Sequence, residues 1–202
     1  MSKAVMLSIR PKWCKKIASG EKTTEVRKTR PKLETPFKCY VYCTQDKHLA
    51  FMQNQTGTNL IACMDVTAAI PVGGAIGNGK VIGEFICDRI YKIDKDSTGF
   101  LFKAGGLSVY KQAAEEKCGL CVAMTDGELY GYLGHCQGYG WHISDLRIYD
   151  QPQKLTEFRR SCPNDLYCEA CAMYSNNNGI CNNGALPLRR PPQSWCYVEE
   201  DT

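Results

Sequence analysis

The segment Lys22-Thr23-Thr24-Glu25-Val26-Arg27 places an amine, two hydroxyls, a carboxylate and a guanidinium within six residues. Alternate residues of an extended segment share a face, so Thr23, Glu25 and Arg27 point one way and Thr24 and Val26 the other. Val26 is the natural core residue. That leaves Glu25 and Arg27 together on the opposite face, with Lys22 at the start of the strand. A second carboxylate, Glu84, interrupts the apolar run from Val81 to Ile86. It needs a cation or a hydrogen bond there, which Lys22 or Arg27 could supply. Such a group is either a paired, partly buried ion cluster or a binding or catalytic site.

A different chemistry is written in Cys162-x5-Cys168-x2-Cys171-x9-Cys181. Four thiolates in 20 residues can close a tetrahedral structural zinc site, and the C-x-x-C pair has zinc-knuckle spacing. The surrounding stretch is poor in Leu, Ile and Val, so such a staple would be needed for it to fold. Disulfides or free thiols are the other readings. Cys118-x2-Cys121 with His135 and Cys136 is a second candidate set, but apolar neighbours favour plain burial there. Cys14, Cys39, Cys43, Cys63 and Cys87 alternate with apolar residues as small core side chains do.

The elements that must position these groups follow from the pattern. Ala4–Ile9 reads as a strand, and Pro11 suits the first turn of a helix whose face carries Trp13, Cys14, Ile17 and Ala18. Gly20 fits the residue just past its end. Lys22–Lys28 and Phe37–Cys43 alternate as strands. Pro71–Gly79 is a glycine-rich loop without phosphate-loop spacing, and a strand over Lys80–Tyr91 follows it. Thr125-x-x-Glu128 is a capping box opening a helix with Leu129, Tyr132 and Leu133 on its apolar stripe and Gly134 at its end. Gly140–Tyr149 is a further strand. From Gln151 the composition turns to Pro, Asn, Cys and Arg, so residues 1–150 form the domain and 151–202 a cysteine-rich appendage. Short strands with two or three short helices predict an α+β fold built on a small mixed β-barrel rather than a βαβ sheet.

The composition bounds the classes open to the chain. Of 202 residues, 44% are hydrophobic and 23% charged, which excludes a disordered tail, a collagen-like fibre and a membrane bundle. Formal net charge is +4, but it is unevenly placed. The first 50 residues hold twelve Lys/Arg against four acids, and the remaining 152 hold thirteen against seventeen. A concentrated basic region is the footprint of a polyanionic partner or a solvated lysine-rich face. The start of the chain has no signal-peptide pattern and no apolar run is long enough to span a bilayer, so a cytoplasmic setting with reduced cysteines is expected. The thirteen cysteines are odd in number and cannot all pair within one chain.

Several stretches together resemble the ASCH domain, a branch of the PUA-like superfamily. They are Leu7-Ser8-Ile9-Arg10-Pro11-Lys12-Trp13 with Ser19-Gly20-Glu21-Lys22-Thr23-Thr24-Glu25-Val26-Arg27-Lys28, then Gly79–Phe85, then Gly138–Ile143 with Leu146–Tyr149. The tail Arg190–Val198 is similar to that of ASCH proteins common in phages and Gram-positive bacteria. The resemblance covers roughly residues 3 to 150. It implies a small barrel with a cleft against the helices, and binding of RNA, a nucleoside or a modified base. Some ASCH proteins look like amidohydrolases acting on N4-acetylcytidine, and a nuclease activity is proposed for others.

That amidohydrolase branch uses a lysine, a threonine and a glutamate. Lys22 and Glu84 match two of them. The threonine's position, three residues after the lysine, holds Glu25. Thr23 is then the substitute nucleophile and Glu25 the base, since a neighbouring amine can activate a hydroxyl. For a nucleic-acid ligand, Trp13 or Trp141 would stack on a base and Lys12, Lys15 and Lys16 would hold phosphates, beside Lys22 and Arg27. A protein partner docking on the appendage is the remaining expectation.

Overall fold

The computed structural model describes residues 3–53, 61–65, 73–160, 183 and 186–200. Strand β1 (Lys3–Ile9) is followed by helix α1 (Pro11–Ala18), which Pro11 opens and Gly20 follows at φ 78°. Next come β2 (Thr24–Arg27), β3 (Phe37–Cys43), β4 (Leu49–Gln53), β5 (Ile61–Asp65) and the short β6 (Ala75–Ile76). The run expected as one strand from Lys80 is two, β7 (Lys80–Cys87) and β8 (Ile90–Lys95). Then follow β9 (Phe100–Ala104), β10 (Leu107–Tyr110), α2 (Lys111–Cys118) and α3 (Asp126–Leu133). The capping box of α3 is complete: Thr125 Oγ1 accepts from the Glu128 N–H and Glu128 accepts from the Thr125 N–H. The chain closes with β11 (Gly138–His142), β12 (Ser144–Lys154) and β13 (Trp195–Glu199).

The strands form a five-stranded sheet in the order β12-β7-β3-β1-β13, a second in the order β10-β9-β8-β11-β2, and a small sheet β5-β4-β6. β1 and β3 are parallel and every other pair is antiparallel, so the first sheet is mixed as expected, with one crossover through α1 and β2. Among the described residues the sheets do not close into the barrel the pattern suggested. β7 runs on into β8 across Asp88–Arg89, and β11 into β12 across Ile143. Both strands thus pass from one large sheet to the other at a shared corner. The bend explains why each pair read as one strand. At β7, Gly83 allows the close approach of β12: a Cβ there would lie 2.4 Å from the Arg147 carbonyl oxygen.

Three apolar clusters result. One, between the first sheet and α1, holds Leu7, Cys14, Ile17, Phe85 and Trp141. Another lies under the second sheet with Val26, Phe102, Leu129 and Leu133. The third, on the outer face of the first sheet, joins Met6, Tyr40 and Val81 to Leu155, Phe158 and Leu188. Cys14, Cys39, Cys43 and Cys87 are buried as expected; burial pushes the Cys87 thiol up to about 12. The side chains of Cys63 and Cys118 lie outside the described residues, as do Cys162, Cys168, Cys171 and Cys181. Among the described residues no group of three metal-ligating side chains occurs, and no helix is long and apolar enough to cross a membrane.

Candidate functional site

The αL turn at Gly20 brings Lys22 back under α1, where its N–H donates to the Lys16 carbonyl at 2.9 Å. The Lys22 side chain is 1% exposed. Its ammonium donates to the Val122 carbonyl at 2.7 Å, lies 3.4 Å from Glu25 Oε2 and sits 5.4 Å from the centroid of the Trp13 ring. Burial lowers its pKa below the ordinary lysine value, and the Glu25 carboxylate opposes that shift. The strand alternation in β2 holds: Val26 enters the core and Glu25 and Arg27 share the other face. Glu25 Oε1 lies 3.0 Å from Arg27 NH2. That guanidinium also donates to the Ser8 carbonyl at 2.9 Å and to the Ser194 carbonyl at 3.3 Å. Lys22, Glu25 and Arg27 therefore form one buried triad.

This triad, with Trp13 and Lys12, lines a cavity of about 690 Å³. Further walls come from Met124, Gly131 and Tyr132 around α3 and from a strap, Pro191–Ser194, that precedes β13. The strap is latched by Ser8, whose N–H donates to the Ser194 carbonyl at 3.0 Å and whose hydroxyl donates to the Pro192 carbonyl at 2.6 Å. At the rim Lys12 bridges to Glu128 at 2.5 Å. That ammonium, together with the Thr125 N–H, draws the Glu128 carboxyl down to about 2. Arg10 and Asp46 complete the charged lining. Four cations thus face three carboxylates, so the cleft is nearly balanced rather than strongly basic.

Other expected site residues lie elsewhere. Glu84 belongs to the outer face of the first sheet, where it accepts from the Tyr149 hydroxyl at 2.8 Å. Glu84 pairs with Tyr40 across the ladder and alternates with the inward residues Phe85 and Cys87, and neither Lys22 nor Arg27 is its partner. Thr23 is spent on the backbone: its hydroxyl donates to the Gly119 carbonyl at 2.7 Å and accepts from the Cys121 N–H at 2.8 Å. It pins the loop that carries Val122 to Lys22. Trp141 is fully buried, in edge contact with Phe37 at 5.7 Å, and offers no stacking face. Lys16 donates to the Ala123 carbonyl at 3.1 Å, and neither it nor Lys15 lines the cavity. Cys121 and Cys136 are free thiols, and His135 pairs with the Tyr130 hydroxyl at 3.2 Å. The α3 wall and the strap went unread as site elements, although the capping box and the Pro191-Pro192 motif each marked a fixed piece of backbone.

The architecture is a sheet-dominated α+β fold with few helices and one helix-flanked cleft. It is the fold of the ASCH proteins. Crystal structures of ASCH from Zymomonas mobilis and of a single-substitution variant match over 98% of this chain, and over 88% and 92% of theirs. Their TM-scores are 0.50 and 0.51, at 14% and 15% identity. No protein-family model matches the sequence, and no curated protein does.

Proposed function

We propose that this chain is a cytoplasmic protein of the ASCH family whose cleft binds a nucleoside or modified base, free or within RNA. The observation that supports this most is the buried Lys22–Glu25–Arg27 triad set beside the Trp13 indole in a cavity of nucleoside size. An indole face stacks on a base, and fixed donors and a carboxylate read its edge. The near balance of charge suits a neutral ring better than a polyphosphate. The test is calorimetric titration with the four ribonucleosides, N4-acetylcytidine and short RNAs. Stacking on one aromatic is worth roughly 1–3 kcal/mol, so Trp13→Ala should weaken binding by about five- to 150-fold. Undiminished affinity after Trp13→Ala and after Arg27→Ala would remove this cleft as the binding site.

A second reading, hydrolysis of N4-acetylcytidine or a related amide in the same cleft, is favoured by the Lys22 amine, whose pKa burial lowers, lying against Glu25. With Thr23 and Glu84 held elsewhere, the chemistry would rest on Lys22 and Glu25. Acetate release that Lys22→Ala abolishes is the result that supports it.

The same reading gives the appendage a structural Zn²⁺ held by Cys162, Cys168, Cys171 and Cys181. Its support is the closed base of the excursion. The Arg160 N–H donates to the Leu186 carbonyl at 2.7 Å and the Leu188 N–H to the Phe158 carbonyl at 2.8 Å. Stoichiometric zinc in purified protein, lost with Cys168→Ser plus Cys171→Ser, is the expected outcome; zinc kept by that variant refutes the ligand set.

A further inference from the structure

Three ammonium groups stand near the Trp13 indole, at 4.6 Å from its ring centroid for Lys12, 5.4 Å for Lys22 and 5.6 Å for Lys16. Two of them are fixed from within the fold. Lys22 donates to the Val122 carbonyl and Lys16 to the Ala123 carbonyl, so successive carbonyls of one loop hold both. Thr23 pins that loop in turn through Gly119 and Cys121. Lys12 differs. Its ammonium is tied to a side chain, Glu128 at 2.5 Å, and the two side chains are 50% and 36% exposed.

Lys12, Trp13 and Glu128 all line the cavity. Stacked aromatic rings have centroids about 4.5–7 Å apart, so an ammonium 4.6 Å from the Trp13 centroid takes the place of a base on that face. Little holds it there. Its two contacts, an ion pair and a cation–π contact, are both exposed and together weigh about three- to 30-fold in an equilibrium constant. Glu128 does not depend on Lys12 for its position, because its carboxylate also accepts from the Thr125 N–H at 3.0 Å.

We propose that Lys12 is a gate on the cleft: its ammonium covers the Trp13 face, and a base that stacks there displaces it from both the ring and Glu128. This rests on the nucleoside reading of the cleft and adds the side chain that controls entry to it. The displaced ammonium moves into solvent while Glu128 keeps its bond to Thr125 at the start of α3.

The experiment titrates wild type, Lys12→Ala, Glu128→Gln, the double variant and Lys103→Ala with the four ribonucleosides and N4-acetylcytidine. Lys12→Ala should bind about three- to 30-fold more tightly than wild type. Glu128→Gln keeps an acceptor for Thr125 and frees Lys12 from the ion pair. It should tighten binding by up to about fivefold in wild type and add nothing in the Lys12→Ala background. Lys103→Ala removes the same charge and an exposed bridge, to Asp94 at 2.9 Å, away from the cavity, and should leave affinity unchanged. Affinity in Lys12→Ala equal to or below that of wild type overturns the gate while the nucleoside reading stands. Equal tightening by Lys103→Ala also overturns it, because the effect would then be one of net charge. If wild type and Lys12→Ala alike bind none of the five compounds, the nucleoside reading itself fails and the gate falls with it.

Discussion

Replacing Glu25 by glutamine should damage this protein far more than replacing Lys22 by methionine, although the two side chains touch. Glu25 is 8% exposed and holds two buried cations, Arg27 at 3.0 Å and Lys22 at 3.4 Å. Glu25→Gln keeps the shape and removes the charge, leaving two cations out of water without a counter-ion. Breaking a buried pair this way costs about 3–5 kcal/mol. For a chain of this size that lowers Tm by about 10 °C. Lys22→Met leaves the Glu25–Arg27 pair matched one to one and keeps an apolar stem beneath Trp13. It loses the charge-assisted hydrogen bond to the Val122 carbonyl, about 1.5–3 kcal/mol, and also removes the ammonium's desolvation, several kcal/mol in the opposite direction. Its net effect should be near zero. Urea unfolding followed by circular dichroism gives both numbers, and the double variant should recover part of the Glu25→Gln loss. Equal costs for the two single variants, or a Glu25→Gln cost below about 1 kcal/mol, would refute the claim that Glu25 is the charge holding the floor together.

Three further outcomes follow from the same geometry. Because the folded-state pKa of Lys22 is lowered, the unfolded chain binds more protons between that value and 10.5. Wild type should therefore gain stability relative to Lys22→Met as pH rises through that window, measured as the difference between their unfolding free energies. Glu128 should titrate at about 2 by carbon NMR, and Lys12→Met should return it toward 4.5. Tyr149→Phe removes the hydroxyl that Glu84 accepts from, costing about 1.5–3 kcal/mol for a bond to a charged group, whereas nucleoside binding by that variant and by Glu84→Gln should stay at the wild-type level.

The legible parts of this chain were those governed by local rules. Pro11 and Gly20 bounded α1, the Thr125–Glu128 box opened α3, and the period of two put Glu25 and Arg27 on one face of β2. Each of these depends on contacts within a few residues. The failures have one cause, that sequence spacing does not record where a sheet bends or a ladder slips. Residues 80–91 and 140–149 keep strand character through corners at Asp88–Arg89 and Ile143, so the pattern shows no break there. The bulge at Val41/Tyr42 shifts the β3–β7 register so that Ile82 turns inward and Val81 outward, while Glu84 keeps the alternation with inward Phe85 and Cys87 that holds it away from the cleft. The β9–β10 hairpin was missed because Phe100–Tyr110 mixes apolar residues with Lys103, Gly105 and Gly106, and α2 because Lys111–Cys118 carries no stripe of large apolar residues. Trp141 and Trp13 look equivalent as residues, and only the tertiary fold buries one and opens the other to the cavity.

The concentration of basic residues in the first 50 also changes meaning once their partners are known. Lys12 is bridged to Glu128, Lys16 is bonded to Ala123, and Lys22 and Arg27 share Glu25. These cations are committed to the protein, so a phosphate would have to compete with existing bonds for them. Exposed charge near the opening comes from Arg10 on the lining and from Lys28 and Arg190, which adjoin lining residues Arg27 and Pro191. Each phosphate neutralised on a single strand contributes about 0.7 to the slope of log affinity against log salt. Three contacts would give a slope of about −2 for a short RNA, and a free nucleoside should show almost none. A slope of about −5 or steeper would mean roughly seven phosphates held, more than this rim can supply. In that case the nucleic acid runs over a surface other than the cleft, and Trp13 and the triad do not define its site.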